Sequence, residues 1–383
     1  MNRFEKNANN PDEIDDVYTS DDEDDFNRFE KDFIMYKDRP EWSDIEPMPQ
    51  NEGDDPIFVI KYTPQYEDTY NYFRAIQVKQ EYSERAFQLT TDCVRFNPCN
   101  YTVWNYRRCL LEKLNKNLMD EMTYIHKVIF ENQKNYQVWE HQKFLLRVIK
   151  EKIDSKELEE IEYENIASIF KKFIRIILKQ DDSKNYHAWQ QLQWFIKFWN
   201  KFDDELKFSE EMIQYDFRNN SAWNHRFFVI SNTTGFTDTI ARDECEYTID
   251  LIRLGPNNES SWNYLIGVVE KSKQDVDQFE WLVKICEDLY EEETKDPSKS
   301  PEISPHLLHF LFKCRGMQLK KLDKKGLNDQ NDQMEYKKKY EQAMEYCEKL
   351  ANEIDAIRVH YWKYQSRRFK EMFEKSFCEK KNR

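Results

Sequence analysis

The hexapeptide KNYQVW, residues 134–139, returns fifty residues later as KNYHAW, residues 184–189. Three other stretches also keep an Asn and a Trp four positions apart. The five Trp residues are separated by 35, 50, 34 and 39 positions, and they are Trp104, Trp139, Trp189, Trp223 and Trp262. The chain is therefore built on an internal repeat with a base period of about 35 residues.

A period of this length without strand-like alternation predicts one helical hairpin in each repeat. Asn is a favoured N-cap, because its side-chain oxygen accepts a hydrogen bond from an unpaired amide of the first helical turn. The Trp then falls one turn inside the helix, where we expect it to pack between adjacent hairpins. The predicted fold is all-α, a right-handed superhelical crescent of stacked antiparallel helical hairpins, similar to tetratricopeptide arrays.

Two stretches depart from the regular repeat. The segment KEKIDSKELEEIEYEN, residues 150–165, lies in the longest gap between Trp residues, and it predicts either an insertion or a lengthened helix. The segment IRVHYWKYQSRR, residues 357–368, is interpreted as a degraded sixth copy around Trp362.

The net charge of −15 is unevenly distributed, because the stretch DEIDDVYTSDDEDD at 12–25 contains nine acidic residues and no Lys or Arg. Such a composition is typical of a disordered acidic tail, and it argues against nucleic-acid binding, which requires a basic surface. The predicted organisation is an acidic disordered tail (1–40), an extended lead-in (41–65), the repeat array (66–375) and a disordered C-terminal tail (376–383).

The eight cysteines include no C-x-x-C pair, and no secretory signal or long apolar run is present. These features predict reduced thiols, a cytoplasmic location and no transmembrane segment. No metal-ligand spacing, glycine-rich phosphate loop or catalytic triad is recognisable, so the residues alone indicate a helical-repeat binding protein with no metal site of its own.

The motif starts are expected to lie along one rim of the array. The positions just before the capping Asn are Cys99, Lys134, Lys184, Arg218 and Asn257, so three consecutive repeats present a basic residue there. Helix N-termini beside lysines can bind a phosphate or diphosphate. The same pattern also fits solvated lysines that bind nothing, and the residues alone leave both interpretations open.

The repeats and their linking segments together resemble the protein prenyltransferase alpha subunits. The resemblance extends from the N-Y-x-x-W repeats to segments outside them, and it covers roughly residues 40–370. These segments are EWSDIEPMPQNEG (41–53), YFRAI (72–76), SERAFQLT (83–90) and FVISNTTGF (228–236). The linking segments are most similar to those of the alpha subunit that protein farnesyltransferase and geranylgeranyltransferase type I share.

The resemblance implies a heterodimeric enzyme that transfers a farnesyl or geranylgeranyl group from its diphosphate to the cysteine of a C-terminal CaaX motif. The implied partners are a beta subunit, the isoprenoid diphosphate and CaaX substrates such as small GTPases. Zinc is expected on the beta subunit and magnesium on the diphosphate in farnesyl transfer. Two alternatives remain, a Rab geranylgeranyltransferase alpha subunit and a non-enzymatic scaffold similar to tetratricopeptide proteins.

Matching the family motifs position by position implies the site residues. Lys134, Tyr136 and His187 correspond to catalytic positions beside the diphosphate, and Asn185 and Tyr186 correspond to substrate-binding positions near the same group.

Two further positions are expected at the peptide substrate. Gln137 corresponds to the glutamine that binds the peptide's terminal carboxylate, and Tyr101 corresponds to a tyrosine near its last residue. One feature departs from the family pattern. The Arg expected three residues after Trp is present as Arg107 and Arg226, and we expect these to bind within the chain or across the subunit interface. It is replaced in the other copies by Gln142, Leu192 and Leu265.

Overall fold

The computed structural model describes residues 32–157, 160–272, 276–295, 303–327 and 329–378, and these residues form helices and connecting segments with no β-strand among them. The chain divides into two compact units, Met1–Trp199 and Asn200–Arg383. The all-α class and the stacked helical hairpins predicted from the repeat are confirmed in both units. None of the described helices is both long enough and apolar enough to span a membrane.

The first unit contains seven α-helices in its described residues. They are α1 (Pro64–Lys79), α2 (Glu84–Phe96), α3 (Tyr101–Lys113), α4 (Leu118–Glu131), α5 (Tyr136–Asp154), α6 (Glu160–Ile176) and α7 (Tyr186–Phe198). The hairpins are α2–α3, α4–α5 and α6–α7, and α5 also packs against the second helix of each neighbouring hairpin.

The second unit contains eight α-helices in its described residues. They are α8 (Glu205–Tyr215), α9 (Asn220–Asn232), α10 (Asp238–Leu254), α11 (Glu259–Lys271), α12 (Glu280–Thr294), α13 (Pro305–Lys325), α14 (Gln330–Lys349) and α15 (Val359–Cys378). Helices α8–α9, α10–α11 and α13–α14 pack as consecutive pairs.

The five motif Asn residues cap the second helix of each hairpin, as predicted. Each side-chain oxygen accepts from a backbone amide of the first turn, and the residues are Asn100, Asn135, Asn185, Asn219 and Asn258. Each cap also ends a turn of four residues, in which its own amide donates to the carbonyl three positions earlier. The backbone entering every motif helix is therefore fixed in the same way.

The five motif Trp residues are buried, as predicted, at 5% exposure or less. Each indole Nε1–H donates to the backbone carbonyl six positions earlier, at 2.8 or 2.9 Å. This bond satisfies the one polar atom of the ring, so a Trp can fill the core without leaving an unpaired donor.

The long gap between Trp139 and Trp189 reflects a lengthened hairpin. Helix α5 has 19 residues, whereas the other four motif helices have 13. Helix α6 then ends in a π-helical turn, Ile177–Asp181, before the four-residue turn that leads to α7.

Trp362 in the sixth copy is fully buried but differs in its hydrogen bond. Its Nε1–H donates to the Asp355 carboxylate at 2.7 Å rather than to a backbone carbonyl, and Asp355 also accepts from Arg358 at 2.6 Å. The copy keeps its aromatic core residue and replaces the turn around it.

The packed chain begins earlier than the predicted boundary at residue 40. Residues 1–31 of the predicted acidic tail lie outside the described residues, but Tyr36 is 1% exposed and donates to Asp92 on α2 at 2.7 Å. Trp42 packs edge-to-face on Tyr36, with ring centroids 5.0 Å apart. At the other end, α15 continues to Cys378, past the predicted boundary at 375, and residues 379–383 lie outside the described residues.

Each of the two motif arginines binds an acidic side chain of its own unit. Arg107 on α3 donates two bonds to Glu121 on α4, and Arg226 on α9 donates two bonds to Glu244 on α10. Both pairs are buried, which confirms the expectation that these arginines bind within the chain. In the second copy, Gln142 stands at the Arg position and accepts from Gln191 of the third copy at 3.2 Å, so a neutral amide contact is made there instead of an ion pair.

Candidate functional site

The starts of α5 and α7 bring most of the predicted site residues together. Asn135 caps α5 through the amide of Gln137 at 2.9 Å, and Asn185 caps α7 through the amide of Ala188 at 3.0 Å. Because the caps fix the first turn, the side chains just before and after each Asn are directed to the surface. Tyr136 and Tyr186 are 56% and 70% exposed there.

Lys134 contributes a full positive charge to this surface. Its side chain is 76% exposed, and its ammonium forms an ion pair with Asp182 in the turn before α7. The hydrogen bond from Lys134 holds the pKa of the Asp182 carboxyl below its usual value, so this acid is ionised at neutral pH.

His187 joins the two helix starts. The centroid of its imidazole ring lies 6.3 Å from the ring centroid of Tyr136 in the preceding repeat. Tyr186 packs edge-on to the same imidazole at 5.7 Å, and Trp139 lies parallel beneath it at 6.3 Å. One surface therefore contains an ammonium, an imidazole and two phenols drawn from two repeats.

Burial lowers the pKa of His187, the backbone contact with Lys134 opposes that shift, and the nearby ammonium adds to it. The imidazole is therefore neutral at neutral pH. A neutral imidazole has one donor nitrogen and one acceptor nitrogen, and both become donors when the ring is protonated.

Asn185 lies beneath this surface. It is fully buried, its side-chain oxygen caps α7, and its amide nitrogen donates to Gln133 at 3.4 Å. Both the oxygen and the nitrogen of the Asn185 side-chain amide therefore form hydrogen bonds that hold the turn before α7.

The two residues predicted for the peptide lie on α3 and α5. Gln137 is half-buried in the first turn of α5, and Tyr101 is 70% exposed as the first residue of α3. Within the described part of the chain, no hydrogen bond or ring contact links Tyr101 to Lys134 or His187.

The sequence interpretation missed two acidic residues. Asp181 accepts from Gln133 and Asp182 accepts from Lys134, so two adjacent acids are paired with two adjacent residues of the preceding repeat. A signal was available, because Asp182 occupies the turn position three before the capping Asn. Asn97 and Asp216 occupy the same position in other repeats, and each accepts from the amide two residues on.

The described residues offer a metal ion no cluster of three or more His, Cys, Asp or Glu side chains. Burial raises the pKa of Cys93 and Cys286 well above the usual thiol value, so in the folded chain both thiols are protonated at neutral pH. The arrangement at Lys134 is suited instead to an anion, since it combines a cation with helix N-termini and hydroxyl donors.

The repeats match those of a known family. A family model described as the protein prenyltransferase alpha subunit repeat matches residues 83–114, 118–149, 202–233 and 241–272. The copy around Trp189 is not among the matched ranges, although it has the same cap and the same indole bond as the others.

One relative is matched over nearly its whole length. The protein farnesyltransferase/geranylgeranyltransferase type-1 subunit alpha of Dictyostelium discoideum is 32% identical over 345 residues, which is 87% of this chain and 94% of that protein. A solved structure, Candida albicans protein geranylgeranyltransferase-I complexed with GGPP, has a chain that superposes with a TM-score of 0.68 at 28% identity. The match covers 85% of this chain and 98% of that one.

The match to a type-2 subunit, which represents the Rab-type alternative, covers less of both proteins. The geranylgeranyl transferase type-2 subunit alpha of Candida albicans is 25% identical over 175 residues, 39% of this chain and 44% of that protein. Because the type-1 match extends over most of both proteins and the repeats fold as the family model requires, this chain belongs to the family of protein prenyltransferase alpha subunits.

Proposed function

We propose that this chain pairs with a beta subunit in the cytoplasm and that the heterodimer transfers a farnesyl or geranylgeranyl group from its diphosphate to the cysteine of a CaaX protein. Small GTPases that end in this motif are the expected substrates. The observation that carries the proposal is the cluster of Tyr136, Tyr186 and His187 rings at the starts of two motif helices, beside the exposed ammonium of Lys134.

The proposed role of this surface is to stabilise the departing diphosphate. As the carbon–oxygen bond to the isoprenoid breaks, negative charge grows on the leaving oxygen, and donors already in place lower the barrier. Lys134 supplies a point charge, Tyr136 and Tyr186 supply exposed hydroxyls, and His187 supplies a ring nitrogen.

His187 binds the diphosphate most strongly when its imidazole is protonated. The neutral ring has one N–H donor, whereas the charged ring has two donors and a positive charge. An approaching anion favours the charged imidazole, and we therefore expect diphosphate binding to raise the pKa of His187 and to be accompanied by proton uptake.

The remaining predicted residues have more limited roles. Gln137 and Tyr101 are proposed to contact the C-terminal end of the peptide, and Asn185 is proposed to position Tyr186 and His187 through its cap. Zinc bound by the beta subunit would hold the substrate cysteine as a thiolate, and magnesium would accompany the diphosphate in farnesyl transfer.

Co-expression tests the proposal. The chain is produced with a farnesyl-type or a type-I geranylgeranyl beta subunit, and transfer of the isoprenoid to a CaaX peptide is measured. A stable heterodimer with transfer activity supports the proposal. Failure to form a complex with either beta subunit would favour a scaffold, and modification of double-cysteine Rab tails with an escort protein but not of CaaX peptides would favour the Rab-type enzyme.

A further inference from the structure

Asp182 is the carboxylate that faces the Lys134 ammonium, and its two oxygens have separate partners. Oδ1 accepts from the backbone amide of Lys184 at 3.0 Å, which closes the turn before α7. Oδ2 accepts from Lys134. The acid is therefore fixed to the backbone of its own turn while it holds a side chain from the preceding repeat.

The two side chains of this ion pair, Lys134 and Asp182, differ in how freely they can move. The Lys134 side chain is 76% exposed on a flexible stem, whereas Asp182 is 30% exposed and held by the turn. That turn follows directly on the π-helical turn Ile177–Asp181, to which Asp182 is tied by the bond from its amide to the Ile177 carbonyl at 2.9 Å. If an anion draws Lys134 away, the lysine moves and the carboxylate stays.

We propose that Asp182 is a positioning residue that acts through Lys134: it holds the ammonium at the site when no diphosphate is bound, and it competes with the diphosphate for it. This inference rests on the proposed function, because it takes the diphosphate as the ligand of Lys134. Because the Lys134 ammonium must leave Asp182 to bind the anion, Asp182 weakens diphosphate binding and speeds release of the product diphosphate.

The variant Asp182→Asn separates charge from structure. An Asn side-chain oxygen accepts the same turn-closing bond, as Asn97 already does from the amide of Cys99 at 3.0 Å in the equivalent turn. The substitution thus removes the negative charge and keeps the turn. Asp216→Asn is the matched control, because Asp216 closes the corresponding turn of another repeat by accepting from the amide of Arg218 at 2.9 Å.

The experiment uses the purified heterodimer and inorganic pyrophosphate as the probe, with its dissociation constant measured by calorimetry at low and at high salt. We expect Asp182→Asn to bind pyrophosphate about three- to tenfold more tightly at low salt, because the Lys134 ammonium no longer has to leave a carboxylate, and we expect high salt to reduce the gain because this ion pair lies near solvent. Asp216→Asn is expected to stay within about twofold of the wild type, because it removes a charge from a turn that does not hold Lys134.

A double-variant cycle decides whether Asp182 acts through the lysine. In a Lys134→Ala heterodimer, Asp182→Asn should change pyrophosphate affinity much less than it does in the wild type. Equal gains in both backgrounds would overturn the positioning role, and weaker binding by Asp182→Asn would show that the residue acts only on structure. A wild-type heterodimer that binds no pyrophosphate would overturn both the proposed function and this inference. If the wild type binds pyrophosphate tightly and Lys134→Ala weakens that binding, but Asp182→Asn leaves it unchanged, the inference alone would be overturned.

Discussion

Arg107 and Glu121 form a buried pair with two hydrogen bonds, at 2.6 and 2.7 Å, which joins the second helix of one repeat to the first helix of the next. Glu121 also accepts from His141 at 2.8 Å on the following helix. One carboxylate therefore links α3, α4 and α5, and these are the helices that position the start of α5.

Replacing Arg107 with Met should lower the free energy of unfolding by about 3–5 kcal/mol, because it leaves Glu121 buried without its charged partner. The double variant Arg107→Met/Glu121→Gln should recover part of that loss by removing the uncompensated charge. Chemical denaturation of the heterodimer measures both, and a loss below about 1 kcal/mol for the single variant would contradict the assigned role.

Trp139→Ala should cost about 3–5 kcal/mol of stability, the usual effect of emptying a large buried aromatic site. Its indole also holds the carbonyl of Gln133 at 2.8 Å, next to Lys134, so the variant should weaken diphosphate binding as well. Trp139→Phe keeps most of the ring but loses this bond, and we expect it to cost less stability. Thermal unfolding and pyrophosphate binding test the two effects, and equal stability of the Ala and wild-type proteins would exclude the core role.

Stability should fall in mild acid because of His126. Burial lowers its pKa to about 3, and its ring stacks on Phe173 with centroids 3.9 Å apart. The unfolded chain protonates near pH 6.5, so between about pH 6.5 and 3 the unfolded state binds the extra proton and stability decreases as the pH falls, by at most about 1.4 kcal/mol per pH unit.

The variant His126→Phe keeps a stacking ring and removes the titration. It should flatten the pH dependence of the unfolding midpoint below about pH 6 relative to the wild type. An unchanged slope would mean that His126 is not the group responsible.

The affinity for diphosphate should increase as the pH falls toward the pKa of free His187. That pKa lies below the ordinary histidine value, and the bound anion raises it, so binding takes up a proton in the interval between the two. His187→Gln cannot protonate, and its pyrophosphate affinity should depend less on pH. Calorimetry in two buffers of different ionisation enthalpy measures the proton uptake directly, and identical uptake by variant and wild type would contradict the assignment.

The fold was predictable because its main signals are local. The Asn caps and the Trp residues lie four positions apart within one turn of chain, and their spacing alone indicates the helix starts and the core. The early start of the packed chain was not predictable in this way, because Tyr36 packs against residues far along the chain. Its hydroxyl donates to Asp92, 56 residues away. The acidic composition of residues 12–25 predicts a disordered tail, and a single aromatic residue at position 36 does not change that prediction.

The site was predictable in part for the same reason. The exposed positions of Lys134 and Tyr136 follow from the cap before α5. The contacts of Lys134 with Asp182 and of Tyr136 with His187 cross about fifty residues, and they depend on how two hairpins stack. The proposed ligand, a diphosphate, rests on the family resemblance rather than on the spacing.

The rate of isoprenoid transfer by a Lys134→Ala heterodimer tests the central claim most directly. An exposed ammonium contributes little to folding, so the complex should assemble normally while kcat falls by about a hundredfold, the usual effect of removing one donor that stabilises transition-state charge. Lys113→Ala, which removes an exposed lysine in the last turn of α3, should leave kcat unchanged. A Lys134→Ala enzyme that transfers the isoprenoid at the wild-type rate would contradict the account.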